Sequence, residues 1–133
     1  MFNKLTPVLV VDAIEPLLPF WTALGFNKKV EVPHGERLGF VILEAGSVEL
    51  MYQTFDSVKG DEAALLDGPR PLAACTLFVE VEDIDALSRL VPSATDVVVR
   101  RRTTFYGSTE MIVRDGAGNA VIFAQMPSGA AQT

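Results

Sequence analysis

A short apolar segment occurs twice in this sequence and indicates how the chain is organised. The two copies are Leu5-Thr6-Pro7-Val8-Leu9-Val10-Val11-Asp12 and Thr76-Leu77-Phe78-Val79-Glu80-Val81-Glu82-Asp83. Each copy contains several β-branched or aromatic residues, which favour a strand, and ends on an aspartate that can cap a helix. Each copy therefore predicts a strand, here 5–11 and 75–82, that leads into a helix.

The residues after each copy predict the same further elements. In the first half, an apolar stripe at spacings of three and four predicts a helix over 13–24, and it consists of Ile14, Leu17, Leu18, Trp21 and Leu24. Strands are then predicted over 27–32, 37–43 and 48–53, with a hairpin turn at Ala45-Gly46. In the second half, a helix that carries Ile84, Leu87, Leu90 and Val91 precedes predicted strands over 97–104, 108–114 and 120–125.

This order predicts an α+β fold of two fused βαβββ modules, whose curved mixed sheet encloses a cup. We expect one domain over 1–133, with module 1 over about 4–54 and module 2 over about 74–126. Residues 55–73 have the composition of a linker, with a helical turn around 62–66, and the tail 127–133 is expected to be disordered.

Composition excludes several classes of function. The chain of 133 residues has a net charge of −6 and no extended basic region, so no nucleic-acid partner is expected. No apolar run approaches the ~20 residues of a membrane span, and no signal peptide is visible, so a cytoplasmic protein without a membrane partner is expected. Cys75 is the single cysteine, which excludes an internal disulfide and a multi-cysteine zinc site.

Strand alternation predicts which side chains face the cup. The apolar members are Phe40, Ile42, Met51, Phe78, Ile112 and Ile122, and the polar members are Glu49, Gln53, Thr76, Glu80 and Glu110. A bulge near Gly118 would reverse the assignment of strand 108–114. A mostly apolar wall with a few polar groups is typical of a small-molecule pocket.

Three stretches carry a resemblance to a known family. They are residues 6–12, the helix motif Pro19-Phe20-Trp21-Thr22-Ala23-Leu24-Gly25-Phe26, and residues 106–119 with the turn Asp115-Gly116-Ala117-Gly118-Asn119. Over about residues 4–126 the chain resembles the vicinal oxygen chelate superfamily, which includes glyoxalase I, extradiol dioxygenases and bleomycin-resistance proteins. The family usually has Asp-Pro-Asp-Gly in that last turn, where this chain has Asp-Gly-Ala-Gly.

The resemblance implies where a metal would be bound. The four ligand positions of metal-using members correspond here to Leu5, Glu49, Thr76 and Ile122. Leu5 and Ile122 have no lone pair to donate, and threonine is a weak ligand, whereas a catalytic metal site generally needs about three protein ligands. We therefore expect no metal and no cofactor, as in the bleomycin-resistance-like branch.

The resemblance also implies a function, namely metal-independent capture of a small molecule by a homodimer, as in antibiotic sequestration. The ligand is expected to be aromatic or cationic, and the residues expected to bind it are Phe40, Glu49, Met51, Thr76, Phe78, Glu80, Tyr106, Glu110 and Ile122. Trp21 is interpreted either as a packing residue or as a further stacking residue. Arg100, Arg101 and Arg102 are interpreted as guards of an edge strand, or Arg102 as an anchor for an anion.

Two alternatives remain open. In the first, the protein is a lyase, an isomerase or a dioxygenase-like enzyme that uses Glu49 as a general base or as its one metal ligand. Partial burial among apolar side chains would then be expected to raise the pKa of Glu49. In the second, the protein is a sensing subunit that binds a small molecule without catalysis.

Overall fold

The first sheet contains four strands in the order β1-β4-β3-β2. The computed structural model describes residues 1–67 and 74–128, and these strands are β1 (Val8–Val11), β2 (Asn27–His34), β3 (Arg37–Ala45) and β4 (Val48–Thr54). β1 is parallel to β4, whereas β3 is antiparallel to both of its neighbours. The helical segment between β1 and β2 completes a βαβββ unit.

Prolines shorten the first predicted helix. A continuous helix was expected over 13–24, but the chain forms a 3₁₀ turn at Glu15–Leu17 followed by helix α1 at Leu18–Ala23. Each of the two elements has a proline, Pro16 or Pro19, within its first two positions. Proline lacks an N–H and is accommodated at a helix start, so each proline begins a new element instead of continuing the previous one.

The core of the first unit lies between α1 and one face of the sheet. Its strand residues include Leu9, Val11, Val41, Leu43, Leu50 and Tyr52, all buried. Trp21 is fully buried, donates its indole N–H to the hydroxyl of Tyr52 at 2.9 Å, and meets the rings of Phe20 and Phe26 edge-on. Trp21 is therefore a packing residue, and the interpretation that it stacks on a ligand is wrong.

The second unit repeats this topology. Its elements are β5 (Thr76–Glu80), α3 (Ile84–Leu90), β6 (Asp96–Thr103), β7 (Thr109–Arg114) and β8 (Ala120–Gln125), with sheet order β5-β8-β7-β6. β5 is parallel to β8, as β1 is to β4. The prediction of an α+β fold with two βαβββ modules is confirmed, and the two compact units are Met1–Ala73 and Ala74–Thr133.

Side-chain hydrogen bonds fix the local structure of the second unit. Asp83 caps α3 by accepting from the backbone N–H groups of Asp85 and Ala86, as its position after the strand predicted. In the turn between β7 and β8, Asp115 accepts from the side-chain amide of Asn119 at 2.9 Å. The side-chain oxygen Oδ1 of Asn119 in turn accepts from the backbone N–H of Cys75 just before β5. This turn therefore joins three strands of the sheet.

The segment predicted as a linker contains a helix. Helix α2 spans Phe55–Glu62 and a 3₁₀ turn follows at Ala63–Leu66, where the sequence predicted only the turn. Residues 68–73 of the expected linker and 129–133 of the expected tail lie outside the described residues. None of the helices in the described ranges is long and apolar enough to cross a bilayer.

Candidate functional site

Strand pairing places the predicted residues of the first unit on one face of its sheet. Phe40 pairs with Gln53, Ile42 with Met51, and Glu44 with Glu49. The hairpin turn is Gly46-Ser47 and not Ala45-Gly46, and Gly46 has a φ of 59°, which glycine adopts without strain. The register differs from the expected one by an even number of residues, so the same side chains still share a face. We call this surface, opposite the core, the first open face.

Two lysines neutralise Glu49 on the first open face. Oε2 of Glu49 lies 2.9 Å from Nζ of Lys4 and 3.4 Å from Nζ of Lys29, and the hydroxyl of Thr6 donates to Oε1 at 3.3 Å. The Glu49 side chain is only 7% exposed. A nearly buried carboxylate is stable only when cations and donors satisfy it, and these three residues do so.

The pKa of Glu49 is shifted in the direction opposite to the one expected. The hydrogen bond from Lys4 lowers this pKa below its ordinary value, with a further contribution from Lys29, and these effects exceed the opposing effect of burial. Partial burial was expected to raise the pKa and so to strengthen Glu49 as a base. The sequence prediction considered only the apolar neighbours and omitted both lysines.

The residues present do not fit the metal site that the resemblance implies. Leu5 was assigned to one ligand position, but this residue is 90% exposed, and its two neighbours in the sequence, Lys4 and Thr6, contact Glu49 instead. Leu5 also lies outside β1, which begins at Val8, although the sequence predicted a strand from residue 5. Thr6 is as weak a metal ligand as Thr76, and Glu49 already holds two ammonium groups. Within 1–67 and 74–128, no three His, Cys, Asp or Glu side chains form a cluster that could hold a metal.

The second unit presents an equivalent surface, the second open face. Phe78 of β5 pairs with Ile122 of β8, which also pairs with Ile112 of β7. Glu80 and Glu110 both pair with Ala124. Strand alternation therefore places Thr76, Phe78, Glu80, Glu110, Ile112 and Ile122 on one side, opposite the buried Met111 and Val113, as predicted. Phe78 is 50% exposed, which is unusual for a large aromatic side chain in a sheet.

Glu110 on this face is fully buried and saturated with hydrogen bonds. Arg102 donates to Oε1 through Nε at 3.0 Å and through Nη2 at 2.7 Å. Tyr106 and Ser108 donate their hydroxyls to Oε2 at 2.8 Å and 2.9 Å. Burial disfavours the charged form, but the hydrogen bonds from Arg102, Tyr106 and Ser108 outweigh it and hold the pKa of Glu110 below its ordinary value.

Because of these ion pairs, the two open faces carry less unpaired negative charge than the sequence suggested. Three carboxylates, Glu49, Glu80 and Glu110, were expected to make the cup negative. Two of them are neutralised within their own units, and Glu80 is the one of the three that forms no ion pair within the described part of the chain. The faces are therefore more apolar than the count of acidic residues suggests.

The arginine triplet is divided between the two faces of the second sheet. Arg101 forms an ion pair with Asp85 of α3, while Arg102 pairs with Glu110 on the second open face. The interpretation of Arg102 as an anchor for an anionic ligand is thus replaced by an internal ion pair. The register of the β6–β7 hairpin, which places Arg102 opposite Glu110, could have indicated this pair from the sequence. No comparable signal linked Lys4 to Glu49.

Solved structures of other proteins share the fold. TioX from Micromonospora sp. ML1 matches with a TM-score of 0.76 and 16% identity, over 95% of this chain and 100% of that one. A bleomycin-binding protein in complex with bleomycin matches with a TM-score of 0.66 and 14% identity, over 95% and 100%. A lactoylglutathione lyase from Agrobacterium tumefaciens matches with a TM-score of 0.71 and 16% identity, over 92% of both chains.

Comparison of the amino-acid sequence alone gives no match. No protein-family model matches the chain, and no curated protein matches it. At 14–16% identity the structural matches show a shared glyoxalase-type fold, which hosts both binding proteins and enzymes. The fold alone is therefore compatible with more than one function, and the residues of the two open faces distinguish between them.

Proposed function

We propose that this protein is a metal-independent small-molecule-binding protein of the glyoxalase/bleomycin-resistance type that captures an aromatic ligand without converting it. The observation that carries the proposal is the second open face. There, Phe78 is half exposed beside the aliphatic Ile122, and the neighbouring carboxylate of Glu110 is already satisfied. Such a surface offers apolar area and ring stacking to a ligand and offers little acid–base chemistry.

The donor set supports a binding role over metal catalysis. The positions implied by the resemblance provide one carboxylate, Glu49, and that carboxylate is held by Lys4 and Lys29. The same contacts argue against Glu49 as a general base, since a lowered pKa makes a carboxylate a weaker base. A protein with the same fold has been solved in complex with bleomycin, which supports ligand capture as a use of this fold.

The neutralised carboxylates also refine the expected ligand. An aromatic or cationic ligand was expected from the sequence, and the aromatic part of that expectation is the part that we retain. We further propose that the protein acts as a homodimer, because Val30 and Val32 of β2 leave apolar area exposed in a single chain.

The proposal can be tested by fluorescence titration with three planar probes of different charge, namely ethidium (a cation), acridone (neutral) and anilinonaphthalene sulfonate (an anion), and by calorimetry with bleomycin. We expect saturable binding that needs no added metal, survives treatment with a chelator, and forms no product. Acridone should bind at least as tightly as ethidium, because Glu49 and Glu110 are neutralised.

Matched variants connect that binding to the second open face. Phe78→Ala should weaken binding of the aromatic probes by about tenfold or more, since one buried aromatic side chain contributes roughly 1.5–3 kcal/mol. Leu90→Ala is the control, because Leu90 lies on α3 and is exposed to a similar extent. Failure of every probe and of bleomycin to bind, or turnover that Glu49→Gln abolishes, would refute the binding proposal, and turnover of that kind would favour the enzyme.

A further inference from the structure

The loop between β6 and β7 presents two aromatic rings at the surface. Phe105 is 101% exposed and Tyr106 is 45% exposed, and their ring centroids lie 5.0 Å apart with the planes at 89°. Two adjacent aromatic side chains at the surface expose a large apolar area to water. Such exposed apolar area is typical of a surface that binds a ligand or a partner. We call this pair the aromatic tip.

The backbone under the aromatic tip is held by a compact set of hydrogen bonds. The N–H of Gly107 donates to the carbonyl of Thr104 at 2.9 Å, and the N–H of Thr104 donates to the carbonyl of Ser108 at 2.9 Å. The N–H of Ser108 also donates to the hydroxyl of Thr104 at 3.1 Å. Gly107 has a φ of 88°, which closes the turn in a conformation that other residues rarely adopt. The tip is thus part of a defined turn.

The Tyr106 side chain is fixed at its far end as well. Its hydroxyl donates to Oε2 of Glu110 at 2.8 Å, and the same oxygen accepts from Ser108 at 2.9 Å. The other oxygen of Glu110 is held by two donors of Arg102. Glu110 is fully buried while Tyr106 is half exposed. The carboxylate therefore holds the hydroxyl end of the Tyr106 side chain, and part of the ring remains accessible to solvent.

We propose that Glu110 is a positioning residue that holds the ring of Tyr106, through its hydroxyl, as a preformed surface on which the aromatic ligand stacks. This inference rests on the proposed function and changes the role of Glu110, which was expected to contribute charge to a ligand. Arg102 and Ser108 orient the carboxylate, and Phe105 packs against the edge of the Tyr106 ring. A ring that is ordered before the ligand arrives does not lose that freedom on binding, so affinity increases without any new contact.

The first test separates the ring of Tyr106 from its hydroxyl. Tyr106→Phe keeps the stacking surface and removes the bond to Glu110, and it should weaken acridone binding by about three- to tenfold, the cost of ordering one side chain. Tyr106→Ala should weaken binding further because the ring is lost. Glu110→Gln should resemble Tyr106→Phe, whereas Glu82→Gln, the same change at an exposed carboxylate of this unit, should leave affinity unchanged.

The second test observes the ordering of the ring without a ligand. The chain has two tyrosines, so protein labelled with 3-fluorotyrosine should give two ¹⁹F resonances, with the buried Tyr52 as an internal reference. We expect Glu110→Gln to shift and narrow the Tyr106 resonance, as the ring gains mobility, and to leave the Tyr52 resonance in place. A purely structural role for Glu110 would disturb both resonances or neither. If Glu110→Gln fails to fold, Glu110→Asp, whose shorter side chain withdraws the carboxylate from the Tyr106 hydroxyl, provides the same comparison.

The outcomes distinguish this inference from the proposed function. If the wild-type protein binds acridone and Tyr106→Phe and Glu110→Gln bind it equally well, the positioning role is wrong and the binding function stands. If the wild-type protein binds none of the probes, the proposed function fails and the stacking role of Tyr106 fails with it. Loss of affinity in both variants, together with a change in the Tyr106 resonance alone, supports the inference.

Discussion

Glu49 and Glu110 are the two carboxylates whose surroundings differ most from those that strand alternation suggested. Each lies on an open face, and each is paired with cations of its own unit, Glu49 with Lys4 and Lys29 and Glu110 with Arg102. A carboxylate removed from water loses its hydration and needs such partners to remain charged. The residues that look most reactive in the sequence are therefore engaged in internal contacts.

A pH-dependent stability difference should follow from the contacts of Glu49. Its pKa in the folded protein lies below the ordinary value of 4.5, so the ionised carboxylate favours the folded state. This stabilisation is present above the ordinary pKa and is lost as the pH falls through the lower pKa of the folded state. Glu49→Gln should accordingly be less stable than the wild type near neutral pH and equally stable in acid.

Urea unfolding between about pH 3 and about pH 8 measures that difference. Glu36→Gln is the control, since Glu36 is exposed and forms no ion pair within the described residues. Its stability should follow that of the wild type throughout. A deficit of Glu49→Gln that remained undiminished at the lowest pH would contradict the assignment of Lys4 and Lys29 as partners of an ionised Glu49.

At the scale of elements, α2 is the helix that the amino-acid composition of its segment did not predict. The segment begins directly after β4 and contains aspartate, glycine and serine, which are typical of a loop. Two features stabilise the helix nevertheless, a local cap and the tertiary burial of one residue. The hydroxyl of Thr54 caps it by accepting from the N–H of Ser57 at 3.1 Å, and Val58 is fully buried. Burial of one face stabilises most protein helices more than intrinsic propensity does.

Loss of the Thr54 cap should therefore cost measurable stability. Thr54→Ala should lower the free energy of unfolding by about 1 kcal/mol relative to Thr54→Ser, because serine keeps the capping oxygen and alanine does not. Both variants remove the methyl group of a side chain that is 5% exposed, so the comparison isolates the hydrogen bond. Urea denaturation followed by circular dichroism gives the two values. Equal stability of the two variants would show that the cap contributes nothing.

At the scale of the whole molecule, two units of the same topology have acquired different surfaces. The first open face carries Glu49 with its lysines, whereas the second carries Phe78 and lies next to the buried Glu110 that anchors Tyr106. A repeated fold preserves the pattern of core residues, because both units must bury one face of a sheet under a helix. The opposite faces are free of that requirement and can diverge.

A homodimer is the assembly that we expect for this chain. Exposed apolar side chains such as Val30 and Val32 of β2 are more stable when a partner covers them. Size-exclusion chromatography with light scattering should give twice the 14.4 kDa mass of one chain. A mass of 14.4 kDa that persisted at every accessible protein concentration would argue against the dimer.

The pattern of apolar residues was sufficient to predict the βαβββ repeat, the cap of α3 at Asp83, and the division of side chains between the two faces of each sheet. These features depend on the alternation and spacing of neighbouring residues, which a sequence displays directly. The segmentation of the first helix, helix α2 and the partners of Glu49 could not be predicted in the same way.

The partners of Glu49 illustrate the physical reason. Lys4 and Lys29 are distant from Glu49 along the chain, and only the folding of the first sheet brings their ammonium groups within 4 Å of its carboxylate. The pKa of that carboxylate depends on those distances and on burial, neither of which is a local property of the sequence. Sequence alone thus determined the architecture of this protein and the residues of its open faces, while the tertiary structure decided which of them remain available to a ligand.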